Sequence, residues 1–390
     1  MKINNKLFLL IAVVCLAGCS SGNQSKENIP CIDVRKTYPE KEIILTDIAD
    51  VEYVHLSTED EDYLYRGGII DITANTIVVN DYSGSILFFS RDGKPKSRFN
   101  RKGGGPGEYP SYISTLVYNE MADEAYVYSS LNAIMVYTSS GKYKRQLPLS
   151  ASISSLVDFD DHSLFLYDEQ LMMRRIHEED YTSSQSLDSS YLRISKEDGR
   201  VLDYAGIPYR DVNITLRSGG LSGMTYFKRI TKCASGLYLC NPESDTIFLY
   251  GKDKTLKPVI CKTPLASDLD PKVVLQEFTD VGRYQFMADK KIVSYSEQKD
   301  NSPTMYGLDK QTGEIFSPKI SLPDYQGEHF KIWSTYTYFD GGKMLTYMKM
   351  DLSSLKLAYN ENRLSGQLKA LVATLNEDED NEVYVIATFK

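Results

Sequence analysis

Ser85-Ile86-Leu87-Phe88-Phe89-Ser90-Arg91-Asp92-Gly93-Lys94-Pro95-Lys96 decides the fold, because the stretch returns as Ala133-Ile134-Met135-Val136-Tyr137-Thr138-Ser139-Ser140-Gly141-Lys142-Tyr143-Lys144. Isoleucine, an aromatic ring, a hydroxyl, Gly-Lys and a final lysine occupy matching positions. The apolar run with high β propensity and the glycine behind it read as a hairpin, with the glycine supplying backbone angles that other residues avoid. A degenerate third copy runs from Ile247 through Tyr250 to Lys257, and looser ones end in Asp198-Gly199-Arg200 and Thr312-Gly313-Glu314.

Each hairpin follows another strand-like run: Thr76–Val79, Ala125–Tyr128, Ser163–Leu166, Leu237–Cys240, Lys291–Ser294 and Met344–Tyr347. Six units of about fifty residues, each with four short strands, predict an all-β six-bladed β-propeller, in which each small sheet buries its faces only against its neighbours. The polar stretch Glu169–Asp188 reads as an insert in the third unit. Leu364, Leu368, Leu371, Val372 and Leu375 recur at helical spacing, predicting one C-terminal amphipathic helix over Asn362–Leu375. Glu382–Phe389 is a terminal strand; with an early strand such as Val51–Leu56, it predicts that both chain ends close the ring.

The chain opens with Lys2 and Lys6, then an apolar run Leu7–Leu16, of signal-peptide length and too short to span a bilayer. Leu16-Ala17-Gly18-Cys19 places two small residues before a cysteine, the pattern for lipoprotein cleavage, so residues 1–18 are expected to be removed and Cys19 lipidated. Cys15 does not fit, because Val14 precedes it. Several acyl chains at about 0.8 kcal/mol per buried CH₂ would anchor the protein without a membrane helix. Residues 19–41 are expected to form a flexible tether and 42–390 the propeller. Ser20, in place of an aspartate, points to the outer membrane, on its periplasmic face or at the cell surface.

Removing Lys2 and Lys6 moves the formal charge from −9 to −11. So acidic a chain disfavours nucleic acid as a partner. The 29 tyrosines and 14 phenylalanines against one tryptophan read first as strand packing and second as a ligand-binding face. Beyond Cys19 remain Cys31, Cys233, Cys240 and Cys261, too sparse for a disulfide framework; buried thiols are expected, with a disulfide among the last three as the alternative.

Three further stretches carry a resemblance: Ile44–Ile48 leading into Val51–Leu56, the loop Arg101-Lys102-Gly103-Gly104-Gly105-Pro106-Gly107-Glu108-Tyr109, and the ending Asp378-Glu379-Asp380-Asn381-Glu382-Val383. On these the chain resembles the six-bladed β-propeller lipoproteins of Bacteroidetes, a TolB-like group largely of unknown function. That group usually has Asn-Pro where this chain has Asn381-Glu382, a departure that bears on the closing turn. The resemblance implies the propeller fold and carries over no catalytic residue.

The glycine loop lacks the Gly-Lys-Ser/Thr and following helix of a phosphate cradle, and Leu221-Ser222-Gly223 lacks the spacing of a nucleophile elbow. His55, His162, His177 and His329 are dispersed, so neither a local metal motif nor a cofactor is expected. Gly104, Gly105 and Gly107 are expected to hold backbone angles closed to other residues, and Arg101, Glu108 and Tyr109 form a candidate binding group where an outer strand leads to the next inner one. Lys94, Lys96, Arg98, Arg101 and Lys102 read as a solvated outer edge that discourages sheet-to-sheet pairing. The function expected is a non-catalytic binding or scaffolding module for a peptide, glycan or protein partner. A metal-assisted lyase or hydrolase is the alternative.

Overall fold

In the computed structural model Ser85–Ser90 and Pro95–Asn100 are paired antiparallel strands, joined by a turn in which Gly93 takes φ 86°. Gly141, Gly199 and Gly313 hold the same place with φ of 79°, 76° and 75°, and Lys254 fills it at 65°. More than the dihedral requires glycine here. A Cβ on Gly93 would lie 2.0 Å from the His55 carbonyl oxygen, and one on Gly141 2.4 Å from the Phe99 Cβ. Both obstructing residues belong to the outermost strand of the preceding blade, so these two turns tuck against their neighbours.

The structure describes residues 29–390 except 59, 111, 130–131, 171–186, 209–213, 219–220, 225–226, 295–296, 298–301, 333–335 and 377–379. The expected signal peptide, Cys19, most of the insert in the third unit and His177 lie outside the described residues. Six sheets of four consecutive antiparallel strands cover 67–100, 115–148, 153–208, 230–263, 273–321 and, for the sixth, 337–389 together with 49–55. The first strands of these sheets meet around the axis. A small hairpin, Thr215–Ser218 with Leu221–Met224, lies between blades three and four.

Both ends close the ring. In blade six Val383–Phe389 pairs with Lys343–Met350 on one side and with Ala49–His55 on the other, and Tyr53 faces Val385 in register. Asn381 fixes the junction, its buried amide donating to the carbonyls of Leu56 (3.0 Å) and Tyr63 (3.1 Å). The core lies between blades. Leu345, Tyr384 and Ile386 of blade six, for instance, bury against Ile77, Val79, Leu87 and Phe89 of blade one. Burial of each such side chain contributes about 1.5–3 kcal/mol.

Several expectations are corrected. The tether does not extend to residue 41: Cys31–Asp33 adds in parallel to the outer strand of blade four and Glu40–Ile44 to that of blade five. Ile32 and Ile43 turn inward there, and open blade edges satisfy the backbone of a segment that looks too polar to order itself. The same addition sets Cys31 beside Cys261 as register partners, and these two form the disulfide; Cys233 and Cys240 are buried thiols. In blade five the second strand is Tyr284–Lys291, not Lys291–Ser294, because the buried run is Tyr284 to Asp289. The helix expected over Asn362–Leu375 is present as Gly366–Thr374, and a second helix that was not expected stands before it in the same link. Leu352–Asn360, capped by Asp351 accepting from the Ser354 amide, precedes Gly366–Thr374. Leu352, Leu355 and Ala358 bury one face of the first, Leu368 and Val372 one face of the second.

Candidate functional site

Five of the six inner strands enclose an axial cavity of about 650 Å³, lined from blades one, two, three, four and six. A register irregularity between Ile69 and Asp71 marks the wall of blade one. The Asp71 carboxylate accepts from the backbone amides of Ile72 (2.9 Å) and, across the blade boundary, Tyr118 (2.6 Å). Glu120 of blade two reaches back to blade one, accepting from the hydroxyls of Thr73 (3.0 Å) and Thr76 (2.5 Å) and from the side-chain and backbone nitrogens of Asn75. Asn119 donates onward to Asp158 of blade three (2.7 Å). The cavity wall is therefore stitched by polar contacts from blade to blade.

Burial works against the ionised form of Glu120, yet the bonds from Thr76, Thr73 and Asn75 hold its carboxyl below its ordinary value. Asp160 behaves likewise: burial is outweighed by bonds from Ser163 and the His162 amide. Both remain ionised near neutrality and are poorly suited to donate a proton.

The opposite side is aromatic and basic. From blade four Lys228 and Lys232 line the cavity, while Ile230 between them is buried in the core shared with blade three. Lys228 crosses to blade six, where its ammonium donates to the Thr337 carbonyl (2.9 Å) and sits 5.0 Å above the Tyr338 ring. Tyr338 lies nearly parallel to Tyr347 (12°), and Tyr336, 41% exposed, meets Tyr347 at 5.0 Å between centroids. Tyr347 is anchored by its hydroxyl to the Ile69 carbonyl (3.1 Å).

The glycine loop is placed elsewhere. Tyr109 is fully buried; its hydroxyl donates to the Gly84 carbonyl (2.7 Å) and accepts from the Arg101 amide (3.0 Å), and burial pushes the phenol up to about 12. Glu108 accepts from the Gly105 amide (2.8 Å), while Arg101 donates to the Gly141 carbonyl (2.9 Å). These contacts join blades one and two, and none of the three residues lines the cavity. Of the glycines, Gly107 alone takes the left-handed region (φ 74°), under the Tyr143 ring. Gly104 and Gly105 do not, which corrects the expectation for both: a Cβ on Gly104 meets open space, and on Gly105 the nearest atom is a Glu108 carboxylate oxygen at 3.1 Å.

The basic edge is largely engaged internally. Lys94 pairs with Asp92, Lys96 approaches Glu120 (3.6 Å) and Arg98 pairs with Asp62. His55 lies 3.4 Å from Asp380 at the ring closure, with burial lowering the affinity of its imidazole for a proton. Among the described residues no three His, Cys, Asp or Glu side chains gather as a metal site requires, and no helix is long and apolar enough to cross a membrane. Sequence reasoning missed Lys228, Lys232, Tyr336 and Tyr338. Their only signal is alternation along inner strands, which becomes legible once the strands are assigned to the axis.

The chain belongs to the family described as Domain of unknown function (DUF4934), whose model matches residues 29–388. Among solved structures it is similar to a protein from Bacteroides fragilis NCTC 9343 described as exported, at 15% identity and a TM-score of 0.61, covering 91% of this chain and 99% of that one. It also matches the virginiamycin B lyase of Staphylococcus aureus at 9% identity and a TM-score of 0.38, over 87% of this chain and 99% of that one, a likeness too weak to bear on function. No curated protein matches the sequence. The first likeness supports the six-bladed fold.

Proposed function

For a member of a family with no assigned activity, we propose a role built on the axial cavity: a lipid-anchored, non-catalytic binding or scaffolding module that admits part of a peptide, glycan or protein partner. The observation carrying this reading is the composition of the wall. Four of its five carboxylates, those of Asp71, Glu120, Asp158 and Asp160, are tied into structural hydrogen bonds, whereas Tyr336 presents an exposed ring backed by Tyr347. Exposed, rigidly supported rings beside polar groups are how concave sites gain contact area at little entropic cost. The Leu16-Ala17-Gly18-Cys19 motif supports anchoring through lipid on Cys19, at the outer membrane, and the exported B. fragilis protein of like fold agrees with passage across the inner membrane.

Two measurements test the two halves. Cys19→Ser should abolish incorporation of radiolabelled palmitate; label retained in the variant contradicts the anchor. The lipoprotein extracted from native membranes should carry its partner, and Tyr336→Ala should release it at unchanged melting temperature. Retention of the partner by that variant contradicts the cavity.

A further inference from the structure

Resting on the cavity reading, we infer that the ligand is an acidic oligosaccharide, a chain of pyranose rings bearing at least one carboxylate. The wall contains five carboxylates, of Asp71, Glu120, Asp158, Asp160 and Asp161, and only two ammonium groups, Lys228 and Lys232, so an anion looks unwelcome. The surroundings change that balance. Glu120 has Lys96 at 3.6 Å, Asp158 has Lys196 at 2.7 Å and Asp160 has Arg193 at 3.9 Å. These cations stand outside the cavity lining. The charges of Glu120 and Asp158 are thereby countered from outside, Asp160 shares Arg193 with Asp203, which pairs with it more closely (2.6 Å), and the Asp71 charge is shared with two backbone amides. Asp160 and Asp161 are both exposed to water. What faces the interior from blade four is cationic, and among the described residues Lys232 makes no ion pair. A ligand carboxylate would form a charge-assisted hydrogen bond with its ammonium.

The rings complete the case. Tyr336 and Tyr338 lie near the Lys228 end of the wall, and Lys232 lies four positions further along the chain, a span of at most about 14 Å. A ligand that stacks on Tyr336 and reaches Lys232 is elongated, with a flat apolar face at one place and a carboxylate at another. A uronic-acid chain has both features.

Titration calorimetry on the full chain in detergent, with trigalacturonate and its methyl ester as probes, tests this. The ester keeps the shape and removes the charge. Wild type should bind the acid at least tenfold more tightly than the ester, and added salt should weaken only the acid. Lys232→Gln should erase the preference, Lys232→Arg should keep it, and Tyr336→Ala should weaken both probes. Matched melting curves would establish that the variants fold. Equal binding of acid and ester, a preference that survives in Lys232→Gln, or binding of neither probe overturns the inference. If neither probe binds while the co-purified partner still depends on Tyr336, only the acidic-sugar assignment falls. If that partner is indifferent to Tyr336, the cavity reading falls with it.

Discussion

At the scale of single residues, the glycine of the repeated turn shows what can be read ahead of a structure. A hairpin turn needs one residue at positive φ, so Gly93, Gly141, Gly199 and Gly313 announce themselves. Their second role is invisible in sequence: Gly141 leaves no room for a Cβ against Phe99, whereas Gly313 faces open space. Gly313→Ala should therefore cost about 1–2 kcal/mol from the backbone alone, and Gly141→Ala clearly more. Urea midpoints of the two variants decide this, and equal losses would mean that the blade contact contributes nothing. The cavity residues were not legible, because Lys232 and Tyr336 become neighbours of one space only through strands more than a hundred positions apart. The candidates Arg101, Glu108 and Tyr109 were legible as a motif because their loop is dense in glycine, and density marks tight geometry whether or not a ligand is involved.

At the scale of elements, the strand-rich units were readable because four short strands per unit repeat. The strap formed by Cys31–Asp33 and Glu40–Ile44 was not, since each piece is short and stabilised only by an edge that another part of the chain provides. The Cys31–Cys261 disulfide pins its first piece across a sequence separation of 230. Cross-links over long loops typically stabilise by about 2–5 kcal/mol, chiefly by restricting the unfolded chain. Replacing both cysteines with serine should lower the melting temperature accordingly and leave the axial cavity able to bind. A doubly substituted protein that melts with the parent would show that strand pairing alone holds the strap.

At the scale of the whole molecule, ring closure is the property on which both stability and the cavity depend. Val383–Phe389 is paired on both sides, so its deletion opens blade six and leaves Ala49–His55 without a partner. The truncated chain should unfold far below the parent or fail to fold; a midpoint within a few degrees would contradict closure by this strand. Closure also brings Tyr336 and Tyr338 of blade six to the Ile69–Asn75 wall of blade one, completing the enclosure. The claim that this enclosure is the binding site is tested most directly by amide hydrogen exchange, with and without the co-purified partner. Protection should concentrate in residues 69–75, 114–121, 228–232 and 336–341. Protection confined to Arg101–Tyr109, with the inner strands unchanged, would contradict it and move the site to the glycine loop.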